Sequence, residues 1–470
     1  MTDWIYDLET YKNAFTAAFE HADAPLKVSF EISDYRNDTA DLLVFLDYLR
    51  RHGARLVGFN NVGFDYPCLH QFIRSGVGDA SALYAKAQAI ITAGDDNKFA
   101  HLVKPSDYYI PQVDLYRIHH FDNRARATSL KALEFNMRAE SIQDLPFPVG
   151  IALTREQVAT LREYNAHDVS MTKKFYHLSK DAIAFREELS RKYGQDFINK
   201  NDTAIGKSYF VMELEKRGVQ VYDFGPDGRK PRQTPRPSIA LADAILPWIT
   251  FQQPEFQRIL SWFKQQTITE TKGVFKDIVA RVNDFDFVFG LGGIHGSISN
   301  ETLVARDDLV IESVDVVSMY PNIAIKNRFY PEHLGPTFCD IYQDLYEQRA
   351  KYPKGSAENA MLKLALNGTF GDSNSPYSVF YDPLMTLRIT ITGQLTLCML
   401  AEGLMSVPTV RIVMANTDGL EYTIHPSYVQ QANDVCKEWE KLTQLTLERA
   451  RYNRMWIRDV NNYIGEYVDD

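Results

Sequence analysis

Cysteine is scarce in this chain: Cys68, Cys339, Cys398 and Cys436 lie far apart among 470 residues, with no CxxC pair. That spacing excludes a disulfide framework and a zinc ribbon, and it points to a reducing compartment. Long apolar runs are also lacking. The most apolar stretch, 387–407, is interrupted by Arg388, Gln394 and Glu402, so no window offers the roughly 20 clean apolar residues of a membrane span. The opening Met1-Thr2-Asp3-Trp4 has neither the basic nor the apolar region of a secretory signal. The expectation is a cytoplasmic protein that does not engage a membrane. Positive charge is not in excess either, since 51 Lys and Arg face 61 acidic residues for a net charge of −10, which argues mildly against a polyanionic partner unless the cations are segregated. One segment is segregated: Gly228-Arg229-Lys230-Pro231-Arg232-Gln233-Thr234-Pro235-Arg236-Pro237. It reads equally as a solvated linker or as a contact to a duplex backbone. What remains is an ordinary globular composition, 45% hydrophobic and 24% charged, long enough for several domains.

The first chemistry-bearing pattern comes at once. Trp4-Ile5-Tyr6-Asp7-Leu8-Glu9 alternates apolar and acidic residues and predicts a strand buried on one face. Asp7 and Glu9 then share a side, where two carboxylates repel each other unless a cation lies between them. An exposed acidic strand face has the same pattern. Residues 39–52 predict a helix and 54–59 a strand, after which Asn60-Asn61-Val62-Gly63-Phe64-Asp65-Tyr66-Pro67 breaks into a turn and delivers a further acid. Thr154-Arg155-Glu156-Gln157 predicts a capping box that opens one long helix reaching about Tyr193. On it Tyr164 and Asp168 are four apart and share a face.

In the second half, Asp307 to Asp315 predicts a strand ending in an acid, and Pro321 in the following Val316-Val317-Ser318-Met319-Tyr320-Pro321 is expected to force the chain out of regular structure. Residues 341–351 and 357–370, the second with Ser356 as its cap, predict a short helical hairpin. Lys363, Asn367 and Phe370 fall on one face of the second helix. Two strand patterns flank Asn416-Thr417-Asp418-Gly419 and predict a hairpin with Asp418 at its tip.

These residues carry a resemblance. Asp7-x-Glu9, Asn60-x-x-x-Phe64-Asp65 and Tyr164-x-x-x-Asp168 resemble the three motifs of the DEDDy 3'-5' exonucleases, in the form found in family B DNA polymerases. Asp315-x-x-Ser318-Met319-Tyr320-Pro321, Lys363-x-x-x-Asn367-Gly368-x-Phe370-Gly371 and Asn416-Thr417-Asp418 resemble polymerase motifs A, B and C of the same family. Phe289-Gly290-Leu291-Gly292-Gly293 is similar to its linking glycine motif, and Asn461-Asn462-Tyr463 stands where the family has a Lys-x-Tyr element.

The resemblance implies an α+β fold: an RNase H-like exonuclease domain over 1–195, a connecting segment and start of the palm over 196–300, palm over 301–335, a minimal helical fingers hairpin over 336–366, and palm again over 367–470. It implies template-directed DNA synthesis from a primer 3'-end with exonucleolytic proofreading. The substrates would be primer-template DNA and deoxynucleoside triphosphates, and each active site would hold two Mg²⁺ or Mn²⁺ ions. Asp7, Glu9, Asp65 and Asp168 would hold the metals of one site, and Asp315 and Asp418 those of the other. Tyr164 would position the attacking water. Asn60, with Asn61 as the alternative, and Phe64 would contact the 3'-terminal nucleotide. Lys363 and Arg349 would bind phosphates, and Ser318 with the backbone of 316–319 would cradle the triphosphate. Tyr320 would exclude a 2'-hydroxyl, Asn367 and Phe370 would line the nascent base pair, and Gly292, Gly293 and Tyr463 would touch DNA.

The departures matter as well. Asn416 replaces the first aspartate of the usual motif C, and Asn461 the lysine of Lys-x-Tyr. The short stretch between Asp315 and Lys363 leaves no room for an inserted subdomain, so a terminal-protein primer is disfavoured. A thumb is expected to be absent or truncated after Tyr463, which invites a thumb-supplying polypeptide or processivity factor, and this compactness suggests a bacteriophage enzyme in a bacterial cytoplasm. The rivals are a dedicated exonuclease with a decayed polymerase half and a non-catalytic scaffold that binds a primer end.

Overall fold

The computed structural model describes residues 2–93, 97, 99–123, 125–226 and 228–468. The fold is mixed α and β with several sheets, and the chain divides into two compact units, Met1–Ile205 and Gly206–Asp470.

The first unit contains β1 (Asp3–Tyr11), β2 (Ala14–His21), β3 (Lys27–Ser33), α1 (Thr39–Arg51), β4 (Arg55–Gly58), α2 (Asp65–Ser75), α3 (Ala80–Ala93), β5 (Gln112–Asp114), α4 (Leu115–Ile118), α5 (Leu130–Asn136), α6 (Arg155–Leu178) and α7 (Lys180–Tyr193). Its sheet runs β3-β2-β1-β4-β5, with β1 antiparallel to β2 and β4 and β5 parallel to β1. Alternation along β1 divides the core. Trp4, Tyr6 and Leu8 join Leu42, Leu46, Leu69, Phe72 and Leu83 on one face, each burying a side chain worth ~1.5–3 kcal/mol. Ile5 faces the other way with Val57, Val113, Val169 and Phe175, so Asp7 and Glu9 point toward the side on which α6 packs. The capping box is formed: the Thr154 hydroxyl accepts the Gln157 N–H, and the Gln157 side chain accepts the Thr154 N–H. The single long helix expected up to Tyr193 is two helices. They part at Ser179, whose hydroxyl donates to the Phe175 carbonyl at 2.9 Å and meets His119 Nε2 at 2.8 Å. A serine bonded back to the preceding turn bends a helix without any glycine or proline to announce it.

The second unit takes in most of α8 (Asp202–Lys216), followed by β6 (Tyr222–Gly225), β7 (Gly228–Pro231), β8 (Ile239–Ala240), α9 (Pro254–Gln265), β9 (Thr267–Ile268), β10 (Val279–Val282), β11 (Phe285–Phe289), β12 (Ile294–Ser297), β13 (Glu301–Val304), β14 (Val310–Val316), α10 (Met319–Lys326), α11 (Thr337–Lys351), α12 (Ala357–Asp372), α13 (Pro383–Met405), β15 (Arg411–Asn416), β16 (Gly419–Ile424), α14 (Val429–Thr443), β17 (Leu447–Asp459) and β18 (Asn462–Tyr467). The main sheet has the order β10-β11-β12-β15-β16-β14-β17-β13, with β18 added to β17. Pro321 does not end regular structure. It lies in the first turn of α10, where a missing N–H costs nothing. Helix α13 is long and apolar enough to cross a bilayer, yet nearly all of it is buried within the unit. The basic run 228–237 is folded rather than a free linker. It starts in the β6–β7 hairpin, and Arg236 pairs with buried Asp382 at 2.8 Å while Arg229 covers the Tyr222 ring.

Candidate active sites

In the first unit, β1 and α6 bring acids together from distant parts of the chain. Asp7, Glu9 and Asp168 each offer a carboxylate oxygen, and the three lie within 4.8 Å of one another. Burial is the largest reason that Asp7 and Glu9 titrate well above the usual carboxylate range. Asp65, Glu9 and Asp168 add to it for Asp7, and Asp168 and Asp65 for Glu9. Burial likewise pushes Asp65 up to about 7 and Asp168 up to about 6. Acids that raise one another's pKa in a half-buried niche are a donor set waiting for positive charge, and hard oxygen ligands suit a divalent cation.

The supports are specific. Asn165 Nδ2 donates to Asp7 Oδ2 at 2.7 Å, while its own Oδ1 accepts the Thr16 hydroxyl at 3.2 Å. Tyr164 donates to Asp168, and burial beside Asp168 and Glu9 raises its phenol pKa. Asp65 is not in the three-acid group. It opens α2, and its Oδ1 accepts the Leu8 N–H at 3.2 Å. Asn60 is exposed in a left-handed conformation, held by a bond from its N–H to Asp114 Oδ1 at 3.0 Å. Asn61, the alternative for its role, is fully buried against Gln112. Phe64 is half-buried at the start of α2.

In the second unit, antiparallel pairing of β14 and β16 sets Asp315 opposite Gly419, next to Asp418 in the β15–β16 turn. Val316 N–H donates to the Asp418 carbonyl at 2.7 Å. Asp315 Oδ2 accepts the Ser313 hydroxyl at 3.0 Å. Partial withdrawal from water raises both pKa values, with Asp315 adding to the effect on Asp418. A Cβ on Gly419 would meet Asp315 Oδ1 at 1.9 Å, so the carboxylate lies over a position that only glycine leaves open. Asn416 closes the other side of the turn; its Oδ1 meets the Thr417 hydroxyl at 3.5 Å.

Around these acids, the Tyr320 ring packs against Phe370 at a 36° tilt with ring centroids 4.3 Å apart, and its hydroxyl donates to the Gly292 carbonyl. Gly293 approaches closely too: a Cβ there would meet both the Tyr320 hydroxyl and Thr417 at 3.0 Å. Ser318, left-handed at φ 46°, caps α10 with its backbone and shares a cleft of about 240 Å³ with Arg349, Lys354 and Asn359. Of the 316–319 stretch expected to cradle phosphates, Val316 and Val317 already donate to Asp418 and Thr446. Lys363 and Asn367 are exposed on α12. Tyr463, on β18, is close enough for Glu421 and Asp315 to raise its pKa after burial has done so.

Four residues escaped the sequence reading. Asn165 holds Asp7. Glu134 pairs with His167 beside Asp168. Gln394, buried in α13, accepts the Gly290 N–H at 3.0 Å and anchors the glycine loop. Glu421 lies buried behind Asp315, where burial and then Asp315 push it up to about 8, and its Oε2 has no hydrogen-bond partner among the described residues. A signal for Glu421 was present, since an acid within the apolar run Leu420-Glu421-Tyr422-Thr423-Ile424 has no place on a solvated strand face.

No protein-family model matches the chain, and no curated protein does so. Among solved structures it is similar to the family B DNA polymerase from the hyperthermophilic archaeon Pyrobaculum calidifontis, at 14% sequence identity and a TM-score of 0.49, over 99% of this chain and 58% of that one.

Proposed function

We propose that the chain is a DNA-directed DNA polymerase with a 3'-5' exonuclease in its first unit. The observation that carries this reading is the meeting of Asp315, on β14, and Asp418, in the β15–β16 turn, beside the Tyr320–Phe370 ring pair. The Asp7, Glu9 and Asp168 cluster supports the nuclease half, as does a sheet whose central strand is antiparallel on one side and parallel on the other, the arrangement of an RNase H-like domain.

Asp7, Glu9 and Asp168 would hold divalent cations in one site, with Asp65 close by, and Asp315 and Asp418 in the other. Both donor sets fit: they are all oxygen, as a hard divalent cation prefers, and burial, with neighbouring acids adding to it, raises the pKa of each. Bound there, such ions would activate the attacking oxygen and neutralise charge on the phosphate. The protein's own part follows from its contacts. Asn165 fixes the Asp7 carboxylate, and Tyr164, donating to Asp168, would orient a water toward the scissile phosphate. In the second site Ser313 fixes Asp315. The Tyr320 ring, packed at a 36° tilt against Phe370 and tied to Gly292, would form a floor under the sugar that leaves no space for a 2'-hydroxyl. Arg349 and Lys363 would neutralise the triphosphate, and DNA would be the product.

The test is a labelled primer-template incubated in Mg²⁺ with and without the four deoxynucleotides. Extension lost in Asp418→Ala, together with shortening lost in Asp7→Ala, supports the reading. Shortening under every condition, with no extension even by Asp7→Ala, would refute the polymerase half and leave the exonuclease.

A further inference from the structure

A second group of ligand-bearing side chains adjoins the acids of the first unit. Glu134 on α5 is 1% exposed. Its Oε2 lies 3.1 Å from His167 Nε2, and its Oε1 is buried without a hydrogen-bond partner among the described residues. Glu134, His167 and Asp168 each place one ligand atom within 4.8 Å of the other two. A pair holding an imidazolium would leave that second carboxylate oxygen desolvated and unpaired, a state that proteins rarely tolerate. A cation would satisfy it. The 3.1 Å separation also matches two adjacent ligands of a single ion, since bonds of about 2.1 Å at a right angle put their atoms about 3 Å apart. Lys131, one turn before Glu134, bears on Asp168 but is itself paired with Asp144.

Ligand type selects the ion. Mg²⁺ favours oxygen and water and binds imidazole poorly, whereas Mn²⁺ and Zn²⁺ accept one nitrogen with two carboxylates. We infer that Glu134, His167 and Asp168 form a transition-metal site, suited to Mn²⁺, that shares Asp168 with the Asp7, Glu9 and Asp168 cluster. The site goes beyond the proposed polymerase and exonuclease reactions, and it stands on these three side chains whatever reaction the neighbouring acids perform.

The decisive measurement is pulsed electron paramagnetic resonance of the full, tag-free chain with one equivalent of MnCl₂. A ¹⁴N modulation from imidazole bound to Mn²⁺ is expected in the wild type. It should disappear in His167→Gln, and Mn²⁺ affinity in the Asp7→Asn/Glu9→Gln background should weaken about tenfold or more in Glu134→Gln. Thermal melts identify any variant that fails to fold, and the wild-type spectrum decides without the variants. Bound Mn²⁺ that lacks ¹⁴N modulation, or affinity unchanged by Glu134→Gln, would overturn the inference and leave a structural ion pair. Nitrogen-coordinated Mn²⁺ in a chain that never shortens a primer would refute the exonuclease reading alone. Primer shortening without the nitrogen signal would refute only the metal site.

Discussion

Gly419→Ala should separate catalysis from folding in the second unit. The added Cβ would meet Asp315 Oδ1 at 1.9 Å and Cγ at 2.9 Å. The two closest atoms are the end of a flexible side chain, and the backbone carbonyl oxygen of Val314 at 3.2 Å needs to give only a few tenths of an ångström, so the strand pair can persist while the carboxylate swings away. Its oxygen must retreat by about 1 Å, and a displacement of that size at a reacting centre costs on the order of 10²-fold in rate. Rotation also sacrifices the 3.0 Å bond from Ser313, a loss of ~1 kcal/mol. In a unit of this size that lowers Tm by only ~2–4 °C. The assay is single-nucleotide incorporation in the Asp7→Ala background, which removes shortening from the measurement, alongside a thermal melt. The variant should incorporate about a hundredfold more slowly with nearly native melting, and Gly419→Ala alone should retain full exonuclease activity. Undiminished incorporation would refute the assignment of Asp315 to the reacting centre. Equal loss of both activities would show that the substitution acts through folding.

Asn165→Ala removes the 2.7 Å bond that fixes Asp7; exonuclease activity should fall about 10- to 100-fold with nucleotide incorporation unchanged, as read on a labelled single strand and a primer-template respectively. Arg236→Ala leaves Asp382, the buried cap of α13, without its ion pair. Because Arg236 is partly exposed, the cost is below that of a fully buried pair, ~2 kcal/mol, and the second unit should melt roughly 4–8 °C lower, which calorimetry can resolve. Burial lowers the pKa of His119 below its ordinary value, and Arg186 lowers it further. The unfolded chain therefore binds the proton more tightly, so His119 contributes stability above about pH 6.5 that is lost as pH falls below it. The Tm gap between wild type and His119→Gln should narrow from pH 7.5 to pH 5.5, and a constant gap would contradict the assignment.

Local pattern announced the elements that carry the acids. Alternation at residues 4–9 marks β1 because Trp4, Tyr6 and Leu8 all enter one core, and Thr154 and Gln157 mark the start of α6 because their reciprocal bonds involve only neighbours in sequence. The hairpin around Asp418 was equally legible, since its two-residue turn lies between two apolar runs. Pro321 misled for a physical reason: the same residue ends a helix from its interior and fits well in its first turn, and only the fold shows that α10 begins at Met319. Ser179 misled in the opposite direction: its hydroxyl bonds back to the Phe175 carbonyl where the helices part, and nothing in the sequence distinguishes such a serine from one that faces solvent.

What sequence could not supply is the layer that holds the acids in place. Asn165 matters through Asp7 and Thr16, and Gln394 through Gly290; each bond joins residues more than a hundred positions apart. No periodicity encodes such a pairing, because an amide on a helix face looks the same whether it meets water or a carboxylate. Acids in apolar surroundings behave differently. Glu134 and Glu421 are each buried with one carboxylate oxygen unpartnered among the described residues, and each lies behind an acid of a cluster, Asp168 in one unit and Asp315 in the other. A charge is buried only where something compensates it, so an acid inside an apolar strand or helix is itself a sequence signal for a neighbouring cation or shared proton. Applied to Leu420-Glu421-Tyr422, that rule would have marked Glu421 as an acid in need of a compensating partner, while the register that sets it beside Asp315 is visible only in the fold.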